Sequence, residues 1–113
     1  MALPKKVLKQ EIFNYIEKGD VQEVEKILQR YPDLVNKPAL NELTPIMFAV
    51  SFGHINMVKL LAKYGATIKT QIPQHNPLNY IRLGQQNDYS IAEYLLKQQA
   101  DPNTPGIFQK ALM

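Results

Sequence analysis

Residues 41–69, NELTPIMFAVSFGHINMVKLLAKYGATIK, contain the start and stop signals of two short helices joined by a turn. Thr44 and Pro45 predict the start of the first helix, because a threonine hydroxyl can cap a helix and proline fits its first turn. Gly53 predicts the turn, and Gly65 predicts the end of the second helix. Isolated helices of fewer than about 12 to 15 residues are only marginally stable in water. The pair therefore requires similar units beside it.

A second helix pair is predicted on the N-terminal side of this unit. Residues 5–18 place apolar side chains at helical spacing along one face, with charged side chains on the other. Asp20 and Glu23 form the pattern of a capping box, which predicts the start of the next helix. The segment YPDLVN, residues 31–36, predicts a turn, because Pro32 cannot continue a helix.

A third helix pair is predicted after residue 69. Asn76 and Pro77 repeat the start signal of the central unit, and DYSIAEYLLKQQA can be aligned with DVQEVEKILQR so that Asp88 lies opposite Asp20. Pro45 and Pro77 are 32 positions apart. Self-similarity at such a period indicates a stack of equivalent units.

The third unit has a longer connection between its two helices. With Asp88 taken as the start of the second helix, the interval from Pro77 to Asp88 is two residues longer than the interval from Pro45 to His54 in the central unit. Gly84 weakens a helix, and Asn87 tolerates left-handed backbone angles. We therefore expect a wider turn at this point and not a longer helix.

The segment TPIMFAVSFGHINMVKLLAKYGATIK resembles the ankyrin repeat, whose hallmark is Thr-Pro-Leu-His near the start of a unit of about 33 residues. Pieces of the pattern recur as KGDVQEVEKIL, Asn76-Pro77-Leu78 and ADPN, so the resemblance covers about residues 8–103. The chain departs from the pattern at Met47 and Asn79, where a histidine is typical, and at Glu42, where many repeats have glycine.

The resemblance implies an all-α ankyrin-repeat solenoid of about three helix-turn-helix repeats joined by hairpin-like loops. The expected boundaries of the single domain 1–113 are about 5–36, 39–69 and 71–103, followed by a C-terminal capping helix over 104–113. In the capping helix, Ile107, Phe108 and Leu112 would cover the third repeat. The alternative is that the chain is cut inside a fourth repeat.

Composition narrows the classes of function. The absence of cysteine excludes disulfides, thiolate metal sites and cysteine nucleophiles. A net charge of +3, with Arg30 and Arg82 as the two arginines and lysines scattered along the chain, does not indicate nucleic-acid binding. No apolar run approaches the roughly 18 residues of a membrane span, and the start lacks a signal-peptide core. We expect a cytoplasmic protein without a membrane partner.

The candidate catalytic residues do not converge on a recognisable pattern. His54 is interpreted as a structural residue that begins a helix after a glycine. His75 has no second histidine or carboxylate at ligand spacing, and glycine-rich phosphate loops are absent. We therefore expect no enzymatic activity, no cofactor and no metal site.

The resemblance implies a concave face, formed by the loop tips and the outer side of each first helix, on which family members bind other proteins. Several residues at these positions are large and apolar, which favours a docking surface. Carried over position by position, the face consists of Leu40, Asn41, Leu43, Ser51 and Phe52 in repeat two, Gln71, Ile72, His75 and Leu83 in repeat three, and Glu17 and Lys18 in repeat one.

Two of these assignments have structural alternatives. Leu43 and Ile72 could instead pack between neighbouring hairpins. A second candidate binding site is the QQNDY turn with Tyr89, which is either a specificity element or a neutral insertion. The predicted function is a non-enzymatic adaptor, inhibitor or regulator that binds one protein, with Phe52 and Leu40 as anchors. The chain is expected to be a monomer. The alternatives are a structural or oligomerising segment of a larger ankyrin-repeat protein, whose apolar strip packs against another domain or a second copy, and a nucleic-acid-associated regulator.

Overall fold

The computed structural model describes residues 5–39, 41–70, 73–102 and 106–107. Within this part of the chain the α-helices are α1 (Lys5–Lys18), α2 (Val21–Arg30), α3 (Pro45–Ser51), α4 (Ile55–Lys63) and α5 (Asp88–Ala100). Short 3-10 helices span Pro32–Asn36, Pro73–His75 and Pro77–Tyr80, and two-residue strands span β1 (Lys69–Thr70) and β2 (Gly106–Ile107). The mostly helical fold with three repeats confirms the predicted all-α solenoid.

The helices form two layers. The first helix of each repeat packs against the next, from α1 to α3 and from α3 to the 3-10 helix Pro77–Tyr80. The second helices form the other layer, in which α4 contacts both α2 and α5. Between the layers lies one continuous core of fully buried apolar side chains, which include Ile12, Ile16, Val24, Leu28, Ile46, Val50, Val58, Leu61, Ile91 and Leu95. Each helix pair is therefore stabilised by its neighbours, as in other repeat stacks.

The helices begin at the predicted start signals, with two differences in hydrogen bonding. Asp20 Oδ1 accepts from the backbone N–H of Glu23 at 3.2 Å, as in a capping box. The reciprocal bond is replaced, because Asp20 N donates to the carbonyl oxygen of Tyr15 and the Glu23 carboxylate accepts from Lys26. Thr44 occupies the cap position of α3, but its hydroxyl makes no capping bond. Proline in the first turn is the start signal that remains there.

The first half of the third repeat differs most from the central repeat. Its first helix is reduced to the four-residue 3-10 helix Pro77–Tyr80, capped by Asn76 Oδ1, which accepts from Leu78 N at 3.0 Å. The wider turn is confirmed, since residues 81–87 are non-helical and Gly84 has a φ of +90°. Gly84, a poor helix former, lies one position nearer to Pro77 than Gly53 lies to Pro45.

The predicted alignment of α5 is wrong by one residue. The residue that caps α5 is Asn87, at a φ of +67°, where the sequence alignment placed Asp88. Ile91 and Leu95 are buried, whereas Leu96 is 55% exposed. The interval from Pro77 to the cap is thus one residue longer than in the central repeat and not two. The error arose because two adjacent leucines fit a helical stripe equally well.

The expected C-terminal capping helix is replaced where the structure describes it. Gly106–Ile107 form β2, which pairs in parallel with β1, so that Lys69 is opposite Gly106 and Thr70 is opposite Ile107. The remainder of the predicted cap, residues 104–105 and 108–113, lies outside the described residues. The short pairing joins the end of the chain to the loop between the second and third repeats.

Candidate functional site

A row of aromatic rings leads from the core to the surface between α1 and α3. The ring centroid of Phe13 is 4.9 Å from that of Phe48, in an edge-to-face arrangement, and Phe48 is 5.5 Å from Phe52. Phe13 is buried, Phe48 is partly buried and Phe52 is 36% exposed. Because each ring packs against the next, the exposed ring of Phe52 is supported from below.

Two further planar groups lie near the ring of Phe52. The ring of His54 is nearly parallel to it at a centroid distance of 6.4 Å, and Arg82 places Cζ 5.9 Å from the Phe52 centroid. The distance of Arg82 fits a cation–π contact. Leu83 follows Arg82 and is 92% exposed, and Tyr89, in the first turn of α5, is 76% exposed. We refer to Phe52, Arg82, Leu83 and Tyr89 together as the Phe52 surface.

The turn of the third repeat is fastened to the end of α3. Gln85 Nε2 donates to the carbonyl oxygen of Val50 at 2.9 Å, and Asn87 Nδ2 donates to the carbonyl oxygen of Gly53 at 3.0 Å. These two carbonyl groups lie on either side of Phe52 in the chain. The Gly53 carbonyl lies just beyond the end of α3, and the Val50 carbonyl, in the last turn of α3, also accepts from Gly53 N. The sequence insertion thus supplies the bonds that hold Arg82 over Phe52.

A second group of predicted residues lies at the opposite end of α3, on the loops. Asn41 Oδ1 accepts from Leu43 N at 3.2 Å, and Leu43 is partly buried. His75 is exposed and lines a cleft of about 340 Å³ together with Asn36, Pro38, Glu42, Thr44 and Thr67. The seven residues of α3, about 10 Å of helix, separate this loop group from the Phe52 surface. The predicted residues of repeats two and three that the structure describes therefore form two patches and not one.

Asn36 connects the two loops that border this cleft. Its Nδ2 donates to the carbonyl oxygen of Gly65 at 3.1 Å, and its Oδ1 accepts from Thr67 N at 2.9 Å. One side-chain amide thus satisfies a donor and an acceptor of the next repeat. The loops are held in register by this bridge, so the cleft between them is pre-formed.

The remaining predicted residues differ in what they offer to a partner. Ser51 is 8% exposed and lies within α3 against the core, so it contributes little surface. Glu17 and Lys18 are exposed and border a shallow cleft on α1 with Glu11, Asn14 and Tyr15. Leu40, Gln71 and Ile72 lie outside the described residues.

Two residues of the site were missed by the sequence analysis. Phe48 precedes Phe52 by four positions, a spacing that places both rings on one side of a helix and could have indicated the pair. Arg82 carries no local signal, because its position over Phe52 depends on hydrogen bonds between residues about 35 positions apart in the chain.

The histidines and carboxylates have structural contacts or stand apart. His54 Nε2 lies 2.7 Å from the carbonyl oxygen of Glu17, which supports the interpretation of His54 as a structural residue. Among the residues that the structure describes, no group of three His, Cys, Asp or Glu side chains could hold a metal ion. In the same part of the chain, no helix has the length and apolar character needed to cross a membrane.

Comparison with known proteins matches this architecture. A family model described as ankyrin repeats, in three copies, matches residues 12–105. The chain is 31% identical over 91 residues to the ankyrin repeat and SAM domain-containing protein 6 of Mus musculus, and 30% identical over 91 residues to that of Rattus norvegicus. Each alignment covers 80% of this chain and 10% of the relative. No solved structure matches the chain. The chain belongs to the ankyrin repeat family.

Proposed function

We propose that this chain binds a partner protein through its concave face and acts as an adaptor, inhibitor or regulator. Ankyrin repeats are generally protein-interaction modules, and their fold is generally non-enzymatic. The observation that carries the proposal is the exposed ring of Phe52, which is supported by Phe48 and has His54 and Arg82 near it. Aromatic and arginine side chains dominate the binding energy of protein interfaces.

The mechanism is the docking of a partner on a pre-formed surface. Binding costs free energy when loops and side chains must be ordered, and a surface that is already fixed avoids much of that cost. The bonds from Gln85 and Asn87 to the end of α3 support a fixed Phe52 surface. The loop group of Asn41, Leu43 and His75, with Leu40 and Ile72, is the proposed second part of the face. A cytoplasmic location and a monomeric state remain predictions.

The test compares Phe52, at the end of α3, with Leu96 in α5. Phe52→Glu, alone and together with Leu40→Glu, removes the proposed anchors, whereas Leu96→Glu changes a leucine of α5 that lies outside the Phe52 surface. Proteins retained by each variant in the native cell extract are identified by mass spectrometry, and binding is then measured with the purified candidate. We expect a partner that the wild type and Leu96→Glu bind and that the Phe52 variants do not.

Circular dichroism on each variant controls for loss of folding. Equal affinity of the purified partner for the wild type and for the Phe52 variants would reject this choice of surface. Light scattering decides between docking of a partner and self-association. A homodimer that Phe52→Glu dissociates would assign the surface to a second copy of the chain.

A further inference from the structure

The exposed guanidinium of Arg82 has N–H donors that are available to a binding partner. In the described part of the chain, its guanidinium makes no hydrogen bond or ion pair. It does make a cation–π contact, with Cζ 5.9 Å from the ring centroid of Phe52. A guanidinium is planar and keeps its N–H donors available at its edge when it lies over a ring. Arg82 is exposed, so those donors face water in the free protein.

The carboxylate in the same turn has other partners. Asp88 Oδ2 accepts from Gly84 N at 2.8 Å, and Asp88 Oδ1 accepts from Tyr89 N at 2.7 Å. Both oxygens thus bind backbone groups and shape the turn. In the described part of the chain Asp88 forms no salt bridge with Arg82, although only six positions separate them in the sequence.

The position of Arg82 is built by the fold. The turn that carries it is attached to α3 through Gln85 and Asn87, at carbonyl groups on both sides of Phe52. Leu83 follows Arg82 in the chain and is almost fully exposed, so its side chain is available to a partner that reaches Arg82. The site thus places a cation that has no ion pair among the described residues beside an exposed aromatic ring, on a turn that is held by two hydrogen bonds.

We propose that the Phe52 surface recognises a protein segment in which an aspartate or glutamate lies next to a large apolar side chain. This inference rests on the proposed function and specifies the chemistry of the partner. The carboxylate accepts N–H bonds from Arg82, in the bidentate geometry that guanidinium and carboxylate share. The apolar side chain packs on the exposed part of Phe52 and on Leu83. A basic segment would be repelled, and a neutral one would leave the charge of Arg82 without a counter-charge.

A library of random linear peptides displayed on phage tests the proposal directly. The library is selected in parallel on the wild type, on Arg82→Glu and on Arg30→Glu. Arg30 is a matched control, because it is the other arginine of the chain and its Cζ lies 6.0 Å from the ring of Tyr31, at the end of α2. We expect the wild type and Arg30→Glu to select peptides with an acidic residue beside a large apolar one.

Arg82→Glu is expected to lose these peptides and to select a lysine or arginine in place of the acid. A selected peptide should bind Arg82→Ala about tenfold more weakly than the wild type, because one charge-assisted pair is lost. Phe52→Ala should weaken the same peptide, and Arg30→Ala should leave its affinity unchanged. Selection of the same sequences by Arg82→Glu and the wild type would overturn the inference.

The selection separates the failure of this inference from the failure of the proposed function. Peptides that require Phe52 but show no acidic preference would overturn the role of Arg82 and leave the docking surface intact. Peptides that bind equally well to Phe52→Ala would contradict the Phe52 surface itself. If no peptide is enriched on the wild type, the recognition of a linear acidic segment is rejected.

Discussion

His54 Nε2 donates a hydrogen bond of 2.7 Å to the carbonyl oxygen of Glu17. His54 caps α4, and Glu17 lies in the last turn of α1, so the bond joins the start of one repeat's second helix to the end of the preceding repeat's first helix. Asn87, the cap of α5, makes the corresponding contact with Gly53 at the end of α3. The cap position thus joins successive repeats through a backbone carbonyl group at or just after the end of the preceding first helix.

His54→Ala should lower the free energy of unfolding by about 1 kcal/mol, because a hydrogen bond between repeats is lost. His75→Ala is the matched control, since His75 is exposed on a loop, and its effect should stay within about 0.5 kcal/mol. Chemical denaturation followed by circular dichroism measures both. Equal stability of the two variants would show that the bond between His54 and Glu17 contributes nothing.

Gly53→Ala should be more destabilising than Gly65→Ala. Both residues have left-handed backbone angles, with φ of +74° and +97°, which cost a residue with a Cβ about 1 to 2 kcal/mol. A Cβ at position 53 would also lie 2.7 Å from the carbonyl oxygen of Gln86, whereas nothing lies within 4 Å at position 65. Thermal unfolding should show the larger decrease for Gly53→Ala. A larger decrease for Gly65→Ala would contradict the close approach of the turn.

Glu42→Gly should stabilise the protein by about 0.5 to 1 kcal/mol, because Glu42 has a φ of +67° that glycine adopts without strain. Asn87 has the same φ, but its side chain binds Gly53. Asn87→Gly should therefore give no gain and lose up to about 1 kcal/mol. Urea denaturation of both variants tests this difference in sign. Destabilisation by Glu42→Gly would mean that the glutamate side chain has a stabilising contact.

Leu95→Ala should cost about 2 to 5 kcal/mol, and Leu96→Ala less than about 1 kcal/mol. Leu95 is fully buried in the core, whereas Leu96 is mostly exposed. Equilibrium denaturation of the two variants tests the register of α5. A larger loss for Leu96→Ala would restore the alignment that the sequence favoured.

The contribution of Glu25 to stability should depend on pH. The Tyr64 hydroxyl, which donates to Glu25 Oε2 at 2.9 Å, and Lys63 lower the pKa of Glu25 from its usual value of 4.5. A carboxyl whose pKa is lower in the folded state stabilises the protein above its unfolded pKa, and this stabilisation is lost as the pH falls through the folded pKa.

Glu25→Gln removes this titration. The difference in unfolding free energy between the wild type and Glu25→Gln should be constant above about pH 5.5 and should shrink as the pH falls below 4.5. Denaturation curves over this range measure it. A difference that grows towards low pH would contradict the lowered pKa.

The sequence by itself determined the architecture of this protein. Proline and glycine residues indicated where helices begin and where turns follow. Proline restricts the backbone locally, and glycine permits the left-handed angles of turns. The period between Pro45 and Pro77 then indicated a stack of repeats. The exposure of Phe52 also followed from the sequence, because its position on the repeat pattern is known once the repeat is recognised.

Only the tertiary structure decided the register of α5 and the composition of the site. Two adjacent leucines fit one stripe equally well, and the packing of Leu95 in the core selected between them. Arg82 reaches Phe52 because side chains of the turn bind the end of α3 in the preceding repeat. The physical reason is that backbone punctuation acts within a few residues, whereas contacts between repeats depend on where stacking places groups about 35 positions apart in the chain.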